Sequence, residues 1–596
     1  MLQINRGQDI QIKTIGAPVG GVNARDSLAG MPETDAIIAD NVFCTPSYVQ
    51  VRNGSAVWST GLGGAVETVM AYNGFVTRKL FGISNGSLFD TTTQGAVGAA
   101  IITGLGNSRW QHAMFNAGGG NVLLMANGVD APRRYDGNTQ GGLVSLNTLV
   151  GGAAYVNGTY TLVPLTGGTG TGAQATIVVS GGAVTSVTIT TAGSAYVVGD
   201  TLSASNANLG GAGAGFSIKV ETIGGWSVTT ISGTGLNPNN LITITVHQQR
   251  CWYIENNTFN VWYSGPSAFQ GALTKLPLGQ LFKMGGYMMQ MATWTIDNAA
   301  GINSYAAFIS SEGEIALYQG YDPSSASTWS LVGMFRTGRP IGRRCICKYA
   351  ADVLAITADG LSPLSQLLLT DRTQPGAQLT YKIVNAINTD VAAYNANFGW
   401  QAIDYPIGNK LVVNVPEIQG TTSHQWVMNS VNNAWSRFRG WQANCLELQQ
   451  DALYYGGQSG TIYLADTGTS DAGIPITVDV KPAFSTFGQG TQQKRFTMAR
   501  PVFQASANIV TPIITLNVDF QDVVSSQVLL STAGSAPWNT SLWNVTSWGG
   551  AQYLSKAWEG VVGLGYWATG RLSLQVSGMS LFWFSTDFMY ENGGPV

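Results

Sequence analysis

The sequence predicts an all-β fold: a β-propeller core with an inserted glycine-rich β module and a C-terminal β-sandwich-like region. Three observations lead there. Short apolar runs separated by Gly or Asn-Gly turns recur between residues 56 and 481 without a helical layer to accompany them. Glycine accounts for 76 of the 596 residues, nearly twice its usual share of about 7%. Charged residues are only 10% of the chain while the hydrophobic fraction is an ordinary 44%, so the chain can build cores but must cover them with small polar residues rather than charge.

Residues 1–55 read as an N-terminal entry segment and 56–150 as the first part of the propeller. LFGISNGSLFD (80–90) sets Asn85-Gly86 between two apolar runs, the pair that a tight hairpin with positive φ demands. Asn127-Gly128 and Asn256-Asn257 serve similar turns, and the hairpin grammar continues through 225–481 in EIALYQG, VLAITADGLSPLS, KLVVNVP and LYYGGQSGTIYLAD. None of these units is long enough to be stable alone, so they must stack.

Residues 151–224 carry an internal duplication: AYVNGTYT recurs as AYVVGDTLS, and GGTGTGAQATIVV as GGAGAGFSIKVET. This nearly uncharged stretch reads as a pseudo-symmetric β module inserted in a propeller loop, where long insertions are cheap. In 383–398, Ile383, Ile387, Val391, Tyr394 and Phe398 recur at helical spacing and predict one helix on the outside of the sheets. From residue 482 alternation resumes: Leu572, Leu574 and Val576 share a face, and LFWF (581–584) reads as a sandwich strand buried on both sides.

Catalytic chemistry is hard to find. Three histidines, His112, His247 and His424, lie outside any nucleophile setting, and no phosphate-binding glycine loop or HExxH is present. Glu312 and Glu314 flank Gly313, a spacing better suited to solvated carboxylates beside a turn than to a glycosidase pair. Asp466, Ser470 and Asp471 in DTGTSDAG lack the acidic ladder of a calcium loop and read as a polar loop. Cys345 and Cys347 are too close for a zinc knuckle, and the five scattered cysteines, with Cys44, Cys251 and Cys445, suit a reducing compartment. The expectation is a non-enzyme with no cofactor, metal or catalytic residue. Trp538, Trp543 and Trp548 are a ligand platform or, more simply, braces of the sandwich.

A net charge of −3 argues against a protein that coats nucleic acid. No apolar leader or stretch of membrane-spanning length is present. Within HQWVMNSVNNAWSRFRGW (424–441), a strand after the Asn432-Asn433 turn puts Trp435, Arg437 and Arg439 on one face and Ser436 and Phe438 on the other. The expectation is blade scaffold, at a subunit seam, with the Arg437 guanidinium over the Trp435 ring.

That stretch, with GGVNARDSLAGMPETDAIIADNVF (20–43), SGPSAFQGAL (264–273), SSEGEIALYQGYDPSSASTWSLVGMFRTGRPIGRR (310–344), AFSTFGQGTQQKRFTMARPVF (483–503) and WNTSLWNVTSWGG (538–550), resembles the tail nozzle proteins of short-tailed bacteriophages, also called tail hub or packaged-DNA stabilisation proteins. The resemblance spans nearly the whole chain apart from the 151–224 insert and rests on the order of the segments. It implies a structural virion protein made in the host cytoplasm and resident in the tail. It further implies a hexameric ring below the portal and its adaptor, contacts with tail fibres or spikes, and dsDNA retained in and passing through a lumen whose lining residues the sequence does not identify. The competing expectations are a receptor-binding tail adhesin using the insert or the 538–548 tryptophans, and a polysaccharide-degrading propeller.

Overall fold

The computed structural model describes residues 10–117, 120–298, 301–369, 378–506, 512–525, 529–532 and 553–593. Trp538, Trp543 and Trp548 fall outside them. Seven blades of three or four antiparallel strands follow one another along the chain, the sixth as part of a nine-stranded sheet and the seventh extended by the short parallel strand Gly95–Ala96, and the first strand of each lies innermost. These inner strands are Val66–Asn73, Gln111–Ala117, Leu241–His247, Met288–Asn298, Ile346–Tyr349, Gln401–Tyr405 and Cys445–Gln449. Each sheet adjoins the next, and the seventh returns to the first. Among the described residues the chain is therefore a seven-bladed β-propeller, a count that the degenerate sequence repeats do not give.

Turn chemistry and apolar burial explain the blades. Asn85 (φ 48°) and Gly86 (φ 67°) make the two-residue turn between the second and third strands of blade 1, as their sequence requires. Between neighbouring blades lie separate apolar cores. Met70, Phe81, Trp110, Leu123 and Trp226 fill the space between blades 1 and 2, and Trp252, Tyr263, Phe308 and Trp329 that between blades 3 and 4. Each large side chain withdrawn from water contributes about 1.5–3 kcal/mol, so stability resides between the hairpins and not within them.

The ring closes through a strand from the chain's beginning. Ser55–Thr60 is the outer strand of blade 7, paired antiparallel with Ile462–Ala465. The hairpins of 80–90 and 453–466 thus belong to blades 1 and 7, which are neighbours across this closure.

The insert occupies the gap between the third strand of blade 2, Arg133–Tyr135, and its fourth, Trp226–Val228. Its six strands run from Leu143 to Ile223 around a core of their own, so the module starts at Leu143 and not at residue 151. The duplication is physical: the Tyr155 hydroxyl accepts from Phe216 N at 3.2 Å, and the Tyr196 hydroxyl from Ala173 N at 3.4 Å. Gly152 (φ 67°) and Gly193 (φ 65°) underlie the two rings, where a Cβ would come within 2.8 Å of Tyr155 and 2.9 Å of Tyr196.

The C-terminal region is a sandwich of two sheets. One contains Leu581–Asn592 and Lys494–Ala505, the other Ile476–Pro482, Ala568–Ser577 and Ile513–Val518. Phe487, Phe496, Val561 and Phe588 fill the space between. The N-terminal segment is part of it: Ile10–Gly16 pairs along Leu581–Asn592, and Ala36–Asp40 lies between the last strand of blade 6, Trp435–Arg439, and Ile476–Pro482. One sheet therefore runs from propeller into sandwich.

One sequence expectation changes and one holds. LFWF is not buried on both sides: Leu581 and Trp583 face the core while Phe584 is 37% exposed, with the Tyr48 ring edge-on to Phe582 and Phe584. The helix spans Val384–Tyr394 and lies on the sheets as its period predicts: Ile383, Ile387 and Val391 are buried in the core shared by blades 5 and 6 and the sandwich, while Asn385, Asn388, Thr389, Ala392 and Ala393 are exposed. Phe398 lies beyond its end.

Candidate functional site on the propeller axis

The structure disperses most of the sequence candidates into scaffold. Trp435, Phe438 and Trp441 are each 0% exposed. Trp435 Nε1 donates to Leu379 O at 3.1 Å, and Phe438 and Trp441 pack edge to face between blades 6 and 7. Arg437 does not cover Trp435. It lies over Trp426, its cross-strand neighbour, and grips both Asp40 oxygens at 2.7 Å. The expectation failed because residues two apart on a strand stand side by side, whereas the directly opposite residue is closer. The stretch is a seam within one chain, joining propeller to sandwich.

Glu312 sits in a turn and meets Arg339 at 2.7 Å, while Glu314 begins the next strand and accepts from Lys283 N and Met284 N; the two do not form a pair. The 466–471 loop is more than polar surface. Asp466 binds buried Lys410 at 2.7 Å, and Asp471 binds buried Arg52. Burial pushes the thiols of Cys44, Cys251, Cys345 and Cys347 up to about 12, which removes their nucleophilic form. Among the described residues no His, Cys, Asp and Glu side chains gather in a metal-binding group, and no helix is long and apolar enough to cross a membrane.

The three histidines diverge. His424 is 2% exposed and held between Glu417 (Nδ1, 2.9 Å) and Asp390 (Nε2, 3.2 Å). Burial opposes its charge, yet the two carboxylates outweigh burial and raise its pKa above the ordinary value. His247 has no such partner, and burial, helped by Lys348, lowers it to about 4. His112, on the inner strand of blade 2, reaches Glu447 of blade 7 at 3.2 Å.

That last contact marks the axis, where polar side chains from different blades meet. Arg344 precedes the inner strand of blade 5, but its Nη2 donates to Thr68 Oγ1 of blade 1 at 2.9 Å and to Trp110 O at 3.1 Å. The guanidinium thus spans the ring. Burial lowers its pKa, and Cys445, Glu447 and Glu67 oppose that shift. Arg109 Nε donates to Glu67 at 3.0 Å. Both guanidiniums lie over the Phe398 ring, Arg109 at 4.3 Å and Arg344 at 5.1 Å from its centre, an arrangement favourable for cations on a ring face.

Above them opens a cavity of about 300 Å³ lined by Asn107, Arg109, Arg344, Asn397, Phe398 and Trp400 among others. A second, of about 320 Å³, lies further along the same inner strands beside His112, Gln290 and Lys348. Glu67 faces the Arg109 guanidinium and Glu447 the His112 ring, and the nearby Cys445 thiol is pushed up to about 11 by burial. The arrangement suits holding a small polar or anionic group better than proton transfer or nucleophilic attack. Sequence reading missed this site because its members come from blades distant in the chain and because Phe398 fitted a helical period. The adjacent arginines of GRR (342–344) were its one local signal.

No family model matches the chain, and no curated protein does. Solved structures give weak likenesses. The computationally designed protein Ika8 aligns with a TM-score of 0.32 at 8% identity, over 69% of this chain and 99% of that one. BamB from Moraxella catarrhalis gives 0.28 at 10% identity, over 67% and 97%. YCF48 bound to D1 peptide gives 0.24 at 9% identity, over 74% and 99%. Likeness of this degree carries no functional conclusion, and the propeller assignment rests on strand order and ring closure in the chain itself.

Proposed function

We propose that the chain is a structural subunit of the tail nozzle of a short-tailed bacteriophage, assembled as a hexameric ring below the portal and adaptor, retaining packaged dsDNA and guiding its ejection. The order of the resembling segments, from 20–43 through 264–273, 310–344 and 424–441 to 483–503 and 538–550, carries this reading. The crossed propeller axis is compatible with it: Arg344 bridges from blade 5 to blades 1 and 2, so the DNA passage in this proposal is formed between copies and not through any one propeller. In such a lumen a lining without dense Lys and Arg contacts lets phosphate slide. Electron cryomicroscopy of virions and of the purified protein tests the proposal. A six-fold ring continuous with the portal channel supports it; a trimeric spike at the tail periphery overturns it.

A receptor-binding role is the second reading, favoured by one observation. The Leu143–Ile223 module stands on the outer strands of blade 2 with its own core, and Val156, Leu162, Val197 and Val198 are about half or more exposed on it. Loss of adsorption by virions that lack the module but retain an intact tail supports this reading.

A further inference from the structure

We propose that the 300 Å³ cavity on the propeller axis is a binding site for a small oxyanion, the carboxylate or phosphate of a free ion or of an acidic sugar, held by the fork of Arg109. The argument begins with charge. Three guanidiniums, those of Arg109, Arg343 and Arg344, line the cavity, and no carboxylate does. They are not equivalent. Arg343 is spent on Met288 O, Met289 O and Asn256, whereas Arg344 gives Nη2 to Thr68 and Trp110 and keeps a buried Nη1 without a hydrogen-bond partner.

Arg109 differs. Its Nε is bonded to Glu67, its plane is braced against Phe398, and its side chain is 40% exposed. The terminal amino groups therefore remain for an acceptor that enters the cavity. A fork fixed at Nε and stacked on a ring has little rotamer entropy left to lose, which favours bidentate capture of a planar carboxylate or a phosphate. Arg344, a buried cation beside the ring, adds attraction in a setting where water screens poorly. Around this point stand Asn107, Asn127, Asn395, Asn397 and Trp400. An amide-rich wall with an indole matches a hydroxylated ring better than a lipid or a hydrophobic peptide.

Isothermal titration at constant ionic strength tests the site, with inorganic phosphate and glucuronate as probes and glucose as the neutral control. Saturable binding of phosphate or glucuronate, stronger than that of glucose and weakened about tenfold or more in Arg109→Gln, is the expected result. Preference for phosphate identifies a free-ion site, and preference for glucuronate an acidic-sugar site. Should Arg109→Gln fail to fold, Arg109→Lys replaces it, since the lysine keeps the charge beside Glu67 but loses the fork. Absence of saturable binding by either anion overturns the proposal, as does binding unchanged in a folded Arg109 variant. A six-fold ring neither supports nor weakens this result, so the site and the nozzle reading stand or fall separately.

Discussion

Arg52 and Asp471, 419 residues apart in the chain, form a two-pronged ion pair in which Arg52 Nη1 meets Oδ1 at 2.8 Å and Nη2 meets Oδ2 at 2.5 Å. The arginine side chain is 0% exposed. It also donates to Asn41 Oδ1 and Arg439 O and lies over Phe438 and Trp441. One guanidinium thus ties the entry segment, blade 6 and the loop after blade 7 at the place where the ring closes.

Removing one partner of this pair strands the other in a dry site, at a cost of about 3–5 kcal/mol. Asp471→Ala is expected to lower the melting temperature markedly. Arg52→Met combined with Asp471→Leu should cost less than the sum of the single changes, as calorimetry of all three variants would show.

Trp435→Ala removes a fully buried indole and its bond to Leu379 O, for about 3–5 kcal/mol. Reduced recovery of folded protein is expected, with any affinity of the folded fraction for DNA unchanged in a filter-binding assay. A folded, fully stable variant with altered DNA binding would restore the ligand-site reading of that stretch.

His424 makes the packing of the 384–394 helix depend on pH. Asp390 from the helix and Glu417 from blade 6 contact the imidazole, and Arg437 and Arg439 lie on the strand opposite. Its folded-state pKa is raised from 6.5, so its contribution is complete below that value and is lost as pH rises through the folded pKa. Hydrogen bonding to His424 lowers the Glu417 pKa from 4.5, so that contribution is present above 4.5 and is lost as pH falls through the folded pKa. Helix amides should exchange hydrogen more readily at pH 9 than at pH 6, after correction for the intrinsic rate, and His424→Gln should flatten the difference.

At His247 the sign reverses. Burial holds the ring near pKa 4 against an ordinary 6.5, so the unfolded chain takes the proton first and stability falls as pH drops between those values. The slope is about 1.4 kcal/mol per pH unit. Denaturation curves at pH 6.5 and 4.5 should show a larger loss for the parent than for His247→Phe, whose ring cannot titrate.

The inserted module should fold alone. A fragment of residues 143–223 contains the Leu143↔Ile223 pairing and a complete core, and is expected to give dispersed amide resonances. Replacing it with a short loop between Asp136 and Gly225 should leave the propeller melting temperature within a few degrees. A propeller that unfolds on excision would show the module to be structural.

The fold class was legible because its signals are local. Asn85-Gly86, the alternation of 571–578 and the repeated tyrosines at 155 and 196 each state their own conformation. Ring closure and the shared sandwich were not legible, since Ser55–Thr60 pairs with Ile462–Ala465 and Ile10–Gly16 with Leu581–Asn592, and strand identity says nothing about a partner hundreds of residues away. The axial cluster was hidden for the same reason, while Phe398 misled because three buried residues at helical spacing preceded it. The 466–471 aspartates looked solvated because their cations, Lys410 and Arg52, are far away in the chain.

Strand Ala36–Asp40, seated between blade 6 and Ile476–Pro482, imposes an order on biosynthesis. On the ribosome Ile10–Gly16 and Ala36–Asp40 emerge long before their partner strands exist, and the ring has no closing neighbour until residue 465 has left the exit tunnel. Blades can stack early, as each buries apolar surface against the one before it, but the nascent chain must carry Ile10–Gly16 and Ala36–Asp40 without the C-terminal strands that flank them. A stop codon anywhere before residue 476 would therefore strip partners from the beginning of the protein as well as from its end.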